Sequence, residues 1–151
     1  MIRNEKLWSV QTDLDDCSPQ VLGFVVERLL AAGARDATLL PVLMKKGRPG
    51  VRLEALVEAR LLRTIEEIIL VETPALGLRR HLVERTVLER EVLKLKTPAG
   101  TIRVKRARDP RGAWKAMPEY DDCRLAALRT GRPLREVQAM AIKAMERKKR
   151  G

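Results

Sequence analysis

Apolar and polar positions alternate, then repeat at three and four, then alternate again along this chain. "LWSVQTD" (7–13) predicts a short strand, with Trp8 and Val10 as its β-favouring residues. Ser18-Pro19 reads as a helix start, because a Ser N-cap offers an oxygen to free backbone N–H groups and Pro suits the first helical position. Val21, Leu22, Val25, Val26, Leu29 and Leu30 then give the helix one apolar face, and Gly33 ends it.

"DATLLPVLMKK" (36–46) predicts a second strand in which Pro41 signals an edge, an end or a bulge. "GRPG" (47–50) is a turn, and "VRLEALV" (51–57) alternates as a half-buried strand does. From Glu58 the period is helical, carried by Leu61, Leu62, Ile65, Ile68 and Ile69, until Pro74 and Gly77 break it. Residues 78–97 read as a long extended stretch, although their charged residues would equally decorate a helix. Its end forms a hairpin, with Leu93 and Leu95 facing Ile102 and Val104 across a Pro-Ala-Gly turn.

Strand, helix, strand, strand, helix, strand is the ferredoxin-like split βαβ order. The predicted fold class is therefore α+β: a ferredoxin-like sandwich with an added β-hairpin and C-terminal helices. Residues 107–123 read as a loop leading into a helix, and 133–150 as a final helix with Val137, Met140, Ala141 and Ala144 at helical spacing. This predicts one domain over 1–106 and a loop-plus-helix segment over 107–151.

Composition changes the picture in two ways. With 45% hydrophobic residues and only four aromatic ones, the core must be aliphatic. The net charge of +11 favours a polyanionic partner (phosphates, a nucleotide or a nucleic acid), although a solvated arginine-rich surface accounts equally for any one basic residue. Cys17 and Cys123 are too few for a disulfide framework and form no C-x-x-C pair, so a closed zinc site is not expected. No apolar run is long enough to span a membrane and no signal peptide is evident, which predicts a cytoplasmic, reduced setting.

Three stretches could carry chemistry. Asp13, Asp15 and Asp16 crowd together between strand and helix, and such carboxylates need a cation or nearby Lys/Arg to offset them. Their hard oxygens suit Mg²⁺ or Mn²⁺ together with substrate phosphates, while a dipole-favoured acidic helix start reads the same. "MKKGRPG" (44–50) sets Lys45, Lys46 and Arg48 on a turn where Gly47 and Gly50 permit close backbone approach to an anion. It lacks P-loop spacing and also fits an ordinary basic turn. "PEYDDC" (118–123) repeats the Asp-Asp-Cys triplet of 15–17, open to a metal site or to a Cys buried as a small hydrophobe. Lone His81 has no partner at ligand spacing.

Taken together, "TDLDDCSPQVLGFVVERLLAAGARDATLLPVLMKKGRPG" (12–50), "ETPALGLR" (72–79), "VLEREVLKLKTPAGTIRVK" (87–105) and "PEYDDCRLAALRTGRPLREV" (118–137) resemble the C-terminal portion of the LarC family, which makes a nickel-pincer cofactor. Asp13 and Cys17 stand where that family usually has Asn and Met, and Gln20 where it has Glu; Asp15 and Asp16 match. The resemblance implies a cyclometallase that inserts nickel into pyridinium bisthiocarboxylate mononucleotide, forming carbon–nickel and sulfur–nickel bonds as CTP is hydrolysed to CMP and pyrophosphate. The product serves lactate racemase.

The matching portion is implied to bind CTP with Mn²⁺ or Mg²⁺. On that basis Asp15 and Asp16 are the expected metal ligands. Lys45, Lys46, Gly47, Arg48 and Gly50 are the expected phosphate contacts, with Arg79 and Lys105 beside them. Glu119 and Asp122 are expected as a second acidic wall, and no catalytic residue is assigned. An N-terminal portion, or a second polypeptide, is the expected partner, within a homo-oligomer. The competing readings are a basic ferredoxin-like nucleic-acid-binding module and a ligand-sensing regulatory domain. No strand offers the exposed aromatics on which RNA-recognition sheets stack bases, which argues against the first.

Overall fold

The computed structural model describes residues 2–150, with side chains as far as residue 147. The chain divides into two compact units: residues 4–85, and residues 86–151 together with 1–3.

The first unit runs β1 (Ile2–Leu14), α1 (Pro19–Ala31), β2 (Asp36–Leu43), β3 (Pro49–Val57), α2 (Leu62–Glu72) and β4 (Arg79–Leu88). Its sheet has the order β2-β3-β1-β4, the ferredoxin-like arrangement expected. β3 lies antiparallel to both neighbours, with Trp8 opposite Val57 and Ala37 opposite Ala55. Pro41 sits in β2, the edge strand, where its missing N–H leaves no central ladder bond unmade.

The helices form where the periodicity put them. Ser18 caps α1, its hydroxyl accepting from the Val21 N–H. Val25 and Leu29 are fully buried from α1, as are Ile65 and Ile69 from α2. They meet Val10, Leu53, Ala55 and Val57 of the sheet in one aliphatic core. α2 starts at Leu62 rather than Glu58, because a single 3-10 turn (Ala59–Leu61) precedes it. The Glu58 carboxylate meanwhile accepts from both Arg35 and Arg60.

The second unit differs more from expectation. Its strands are β5 (Arg90–Thr97), β6 (Gly100–Arg108) and β7 (Trp114–Pro118), followed by α3 (Tyr120–Thr130) and α4 (Leu134–Arg150). The extended stretch 78–97 is thus two strands, β4 and β5, which belong to different sheets. The hairpin is not an appendage but two-thirds of a three-stranded sheet. β7 lies inside the expected loop: Trp114 and Ala116 alternate with Lys115 and Met117, a pattern too short to stand out. Asp109 shapes the intervening turn by accepting from the Arg111 and Ala113 N–H groups.

Because β6 pairs with β5 on one side and β7 on the other, the expected boundary after residue 106 falls within a sheet; the chain divides instead near Arg85. Leu95, Ile102 and Val104 pack on Cys123, Ala126, Val137 and Ala141, so this unit has its own core. Among the described residues no helix is long and apolar enough to cross a membrane.

Candidate functional site

The acidic elbow and the basic turn meet at one end of the first sheet. β1 ends at Leu14, opposite Val51, and β3 begins at Pro49, so Asp15 and the 44–50 turn emerge side by side. Arg48 donates to Asp15 at 3.1 Å. A hydrogen bond from the Met44 N–H to the Arg48 carbonyl closes the turn at 2.8 Å.

Inside that turn Lys46 has φ +62° and Gly47 φ +69°. The left-handed conformation is ordinary for Gly and costs a side-chain-bearing residue about 1–2 kcal/mol. Lys46 is the only non-glycine residue with positive φ among those described. Strain of this kind collects where a backbone is shaped for a ligand. Gly50 is needed for a different reason than expected: a Cβ there would lie 2.8 Å from the Leu14 carbonyl oxygen and 2.5 Å from the Met44 sulfur. Its small size lets β3 pass the end of β1.

Beside the turn lies a cavity of about 600 Å³, whose lining includes Gln11, Asp13, Lys45, Arg52, Gly77 and Arg79. Asp13 and Arg52 are directly opposed on β1 and β3. Arg52 grips the carboxylate with two hydrogen bonds, at 2.7 and 3.0 Å, and Arg79 adds a third at 2.6 Å. The Arg52 hydrogen bonds, with help from Arg79, hold the Asp13 carboxyl down at about 2 despite its partial burial. Arg79 is placed by the "ETPALG" break. The buried Thr12 hydroxyl donates to the Gly77 carbonyl at 3.1 Å, fastening that segment to β1.

The structure brings Asp15 to Arg48, and Lys45 and Arg79 into one cavity lining, while Lys46 and Arg48 are not among that cavity's lining residues. Asp16 is exposed on the same elbow. Arg52 went unrecognised, and Asp13 had been passed over in favour of its neighbours. Their pairing depends on strand register, which the residues alone do not display.

The remaining expected site residues belong to the second unit. Lys105 pairs with Glu119 at 2.8 Å. Asp122 accepts from the Arg103 backbone N–H at 2.8 Å and from its guanidinium at 2.9 and 2.7 Å, which holds its carboxyl at about 2. These carboxylates already have cationic partners within their own unit. Cys123 is fully buried in its core, with its thiol pushed up by desolvation, so it packs as a hydrophobe.

Among the described residues no three His, Cys, Asp or Glu side chains cluster as a metal cage. Cys17, partly exposed, has its thiol pushed up by desolvation and by the adjacent Asp16 charge. Asp15 and Asp16 fit a hard divalent ion that completes its shell with phosphate oxygens and water, the habit of Mg²⁺ and Mn²⁺.

The charge is also distributed unexpectedly. Residues 4–85 carry twelve Lys/Arg against twelve Asp/Glu, and the remainder nineteen against eight. The unit with the cavity is neutral overall. Its basic character there comes from local placement, not from the bulk composition.

A family model described as nickel insertion protein matches residues 1–138. The chain belongs to the nickel insertion protein family. A family member named as a nickel insertion protein in Myxococcus xanthus is 47% identical over 142 residues, which is 94% of this chain and 36% of that protein. The pyridinium-3,5-bisthiocarboxylic acid mononucleotide nickel insertion protein of Clostridium acetobutylicum is 39% identical over 120 residues, 80% of this chain and 29% of that one. The chain thus spans about a third of the length of these relatives.

Among solved structures, LarC2 superposes with a TM-score of 0.87 at 34% identity, covering 95% of this chain and 99% of its own. LarC2 is the C-terminal domain of a cyclometallase involved in synthesis of the NPN cofactor of lactate racemase. A Methanopyrus kandleri protein has the same architecture with a TM-score of 0.64 at 26% identity, over 95% of this chain and 90% of that one.

Proposed function

We propose that this chain is the nucleotide-binding portion of a CTP-dependent cyclometallase, and that CTP with Mn²⁺ or Mg²⁺ occupies the cavity and turn of its first unit. The observation that carries this reading is one cavity lined by Lys45, Arg52 and Arg79, next to a turn whose Arg48 is held by Asp15. The family membership and the likeness to LarC2 support nickel insertion into pyridinium bisthiocarboxylate mononucleotide as the overall reaction. Nickel enters that reaction as a substrate, and the length of the relatives makes another segment or polypeptide the natural holder of the mononucleotide.

The chemistry left to this unit is charge management. In the free chain Arg48 and Asp15 neutralise each other. A phosphate oxygen that takes Arg48 leaves the Asp15 carboxylate without its counter-ion, so anion binding creates demand for a cation at the same place. A divalent ion there would supply charge neutralisation and activation at the phosphates. Lys45 and Arg79 keep the remaining phosphate oxygens in the cavity. Charge-assisted contacts of this type are each worth roughly 1.5–3 kcal/mol.

Calorimetric titration of CTP, ATP and GTP, each with and without Mn²⁺, tests the reading. CTP binding that requires the ion and is lost in Asp15→Ala, with the circular dichroism spectrum unchanged, is the expected result. Equal CTP affinity in that variant would remove Asp15 from the metal site. Steep loss of single-stranded RNA binding with salt, in place of ion-dependent CTP binding, would favour a nucleic-acid module.

A further inference from the structure

We propose that Asp13 is a positioning residue for two arginines: it keeps Arg52 and yields Arg79 to an incoming phosphate. The inference rests on the nucleotide-site reading above and adds to it a division of labour between two arginines.

The two contacts differ in kind. Arg52 and Asp13 sit opposite each other in the β1–β3 ladder, so the backbone fixes their separation. Their two hydrogen bonds use both carboxylate oxygens, and the Arg52 side chain is only 35% exposed. Such a forked pair gains geometry as well as charge. Arg79 makes one hydrogen bond, to the oxygen that Arg52 also uses, and its side chain is 59% exposed. An ion pair that open to water is worth little. It is therefore the contact that a competing anion can take at small cost.

The placement serves exchange. Arg79 is the first residue of β4, anchored on its N-terminal side by the Thr12–Gly77 hydrogen bond, so its guanidinium is delivered to the cavity at a fixed point. Asp13 is the one carboxylate in the cavity lining, against Lys45, Arg52 and Arg79. Without it three cations would face one another unscreened, and Arg79 would lose its partner there. With it the arginine waits in place, and a phosphate competes with an internal carboxylate instead of with water alone. Asp13 thereby sets the affinity for the phosphate chain and keeps it from becoming too tight to release.

The test uses the whole chain and inorganic tripolyphosphate, which has no base and needs no nickel chemistry. Calorimetry would compare the wild type with D13N, R79Q and the double variant. Removing the competing charge should tighten tripolyphosphate binding roughly two- to fivefold in D13N, the scale of one partly exposed ion pair. That gain should vanish in the R79Q background. Unchanged or weaker binding in D13N, or the same gain without Arg79, overturns the proposal.

A second measurement needs no substitution at Asp13. In a titration followed by nitrogen NMR, the Arg79 Nε–H resonance should move with tripolyphosphate while that of Arg52 stays nearly fixed. Equal movement overturns the division of labour. If the wild type binds neither tripolyphosphate nor Mn²⁺–CTP, the nucleotide site itself falls; if it binds both with no dependence on residue 13, only the present inference does.

Discussion

Arg48 holds Asp15 across 3.1 Å, although 33 residues of chain separate them. The planar guanidinium can pass from a carboxylate to a phosphate with little reorientation, whereas an ammonium offers no fork. Arg48→Lys should therefore weaken Mn²⁺–CTP binding by about tenfold while leaving the thermal midpoint nearly unchanged, because one exposed ion pair contributes roughly 0–1 kcal/mol to stability. Calorimetry beside a melting curve separates the two effects.

At Gly50 the obstacle to a side chain is the Leu14 carbonyl, which is backbone and cannot swing aside; the Met44 sulfur could. Gly50→Ala should lower stability by about 1–3 kcal/mol, the usual cost of overpacking. Urea unfolding checks the size. A neutral result would mean that β1 and β3 can part at this end.

Lys46 invites the opposite substitution. Its left-handed backbone costs about 1–2 kcal/mol, while Gly gives back roughly 0.5–1 kcal/mol of that through its freer unfolded chain. Lys46→Gly should leave stability equal or slightly raised, yet bind Mn²⁺–CTP several-fold more weakly. A stable variant with undiminished affinity would make the lysine an incidental occupant of the turn.

Asp122 gives a pH signature. Its carboxyl is held at about 2 by Arg103, against an ordinary value of 3.8. The ionised form is therefore favoured by folding, and its contribution is complete above about pH 4 and lost as the pH falls towards 2. Asp122→Asn should lower the neutral plateau and so flatten part of the acid limb of the stability profile, the two profiles converging as the pH falls towards 2. Urea midpoints measured between pH 2.5 and 7 would display the change. Asp13 follows the same sign with Arg52 as its partner, so the limb should not disappear altogether.

Much of the fold was legible because burial imposes simple periods. Val25 and Leu29, and Ile65 and Ile69, mark helix faces four residues apart, and the β3 alternation of Leu53, Ala55 and Val57 marks a half-buried strand. β7 was not legible: five residues that follow a Gly-containing turn and end at Pro118 give too few alternations to exceed noise. The Glu89 break between β4 and β5 left no Gly or Pro to announce it.

The site divides the same way. Asp15, Lys45 and Arg48 sit in local motifs that residue type and spacing reveal, while Arg79 was expected only from the family resemblance. Asp13 with Arg52 is a pair created by register, and register is fixed by the whole sheet. The overall basicity pointed to a phosphate ligand for a reason that does not hold in place, since the surplus charge lies outside residues 4–85.

The unequal burial of the two cysteines equips the chain with a native reporter. Cys123 is sealed from reagents, while Cys17 follows directly after the Asp15–Asp16 elbow and is partly open to solvent. A maleimide dye would attach at one position without any engineered residue, slowly at neutral pH because that thiol resists ionisation. Its fluorescence would follow events at the elbow from a distance of one or two residues.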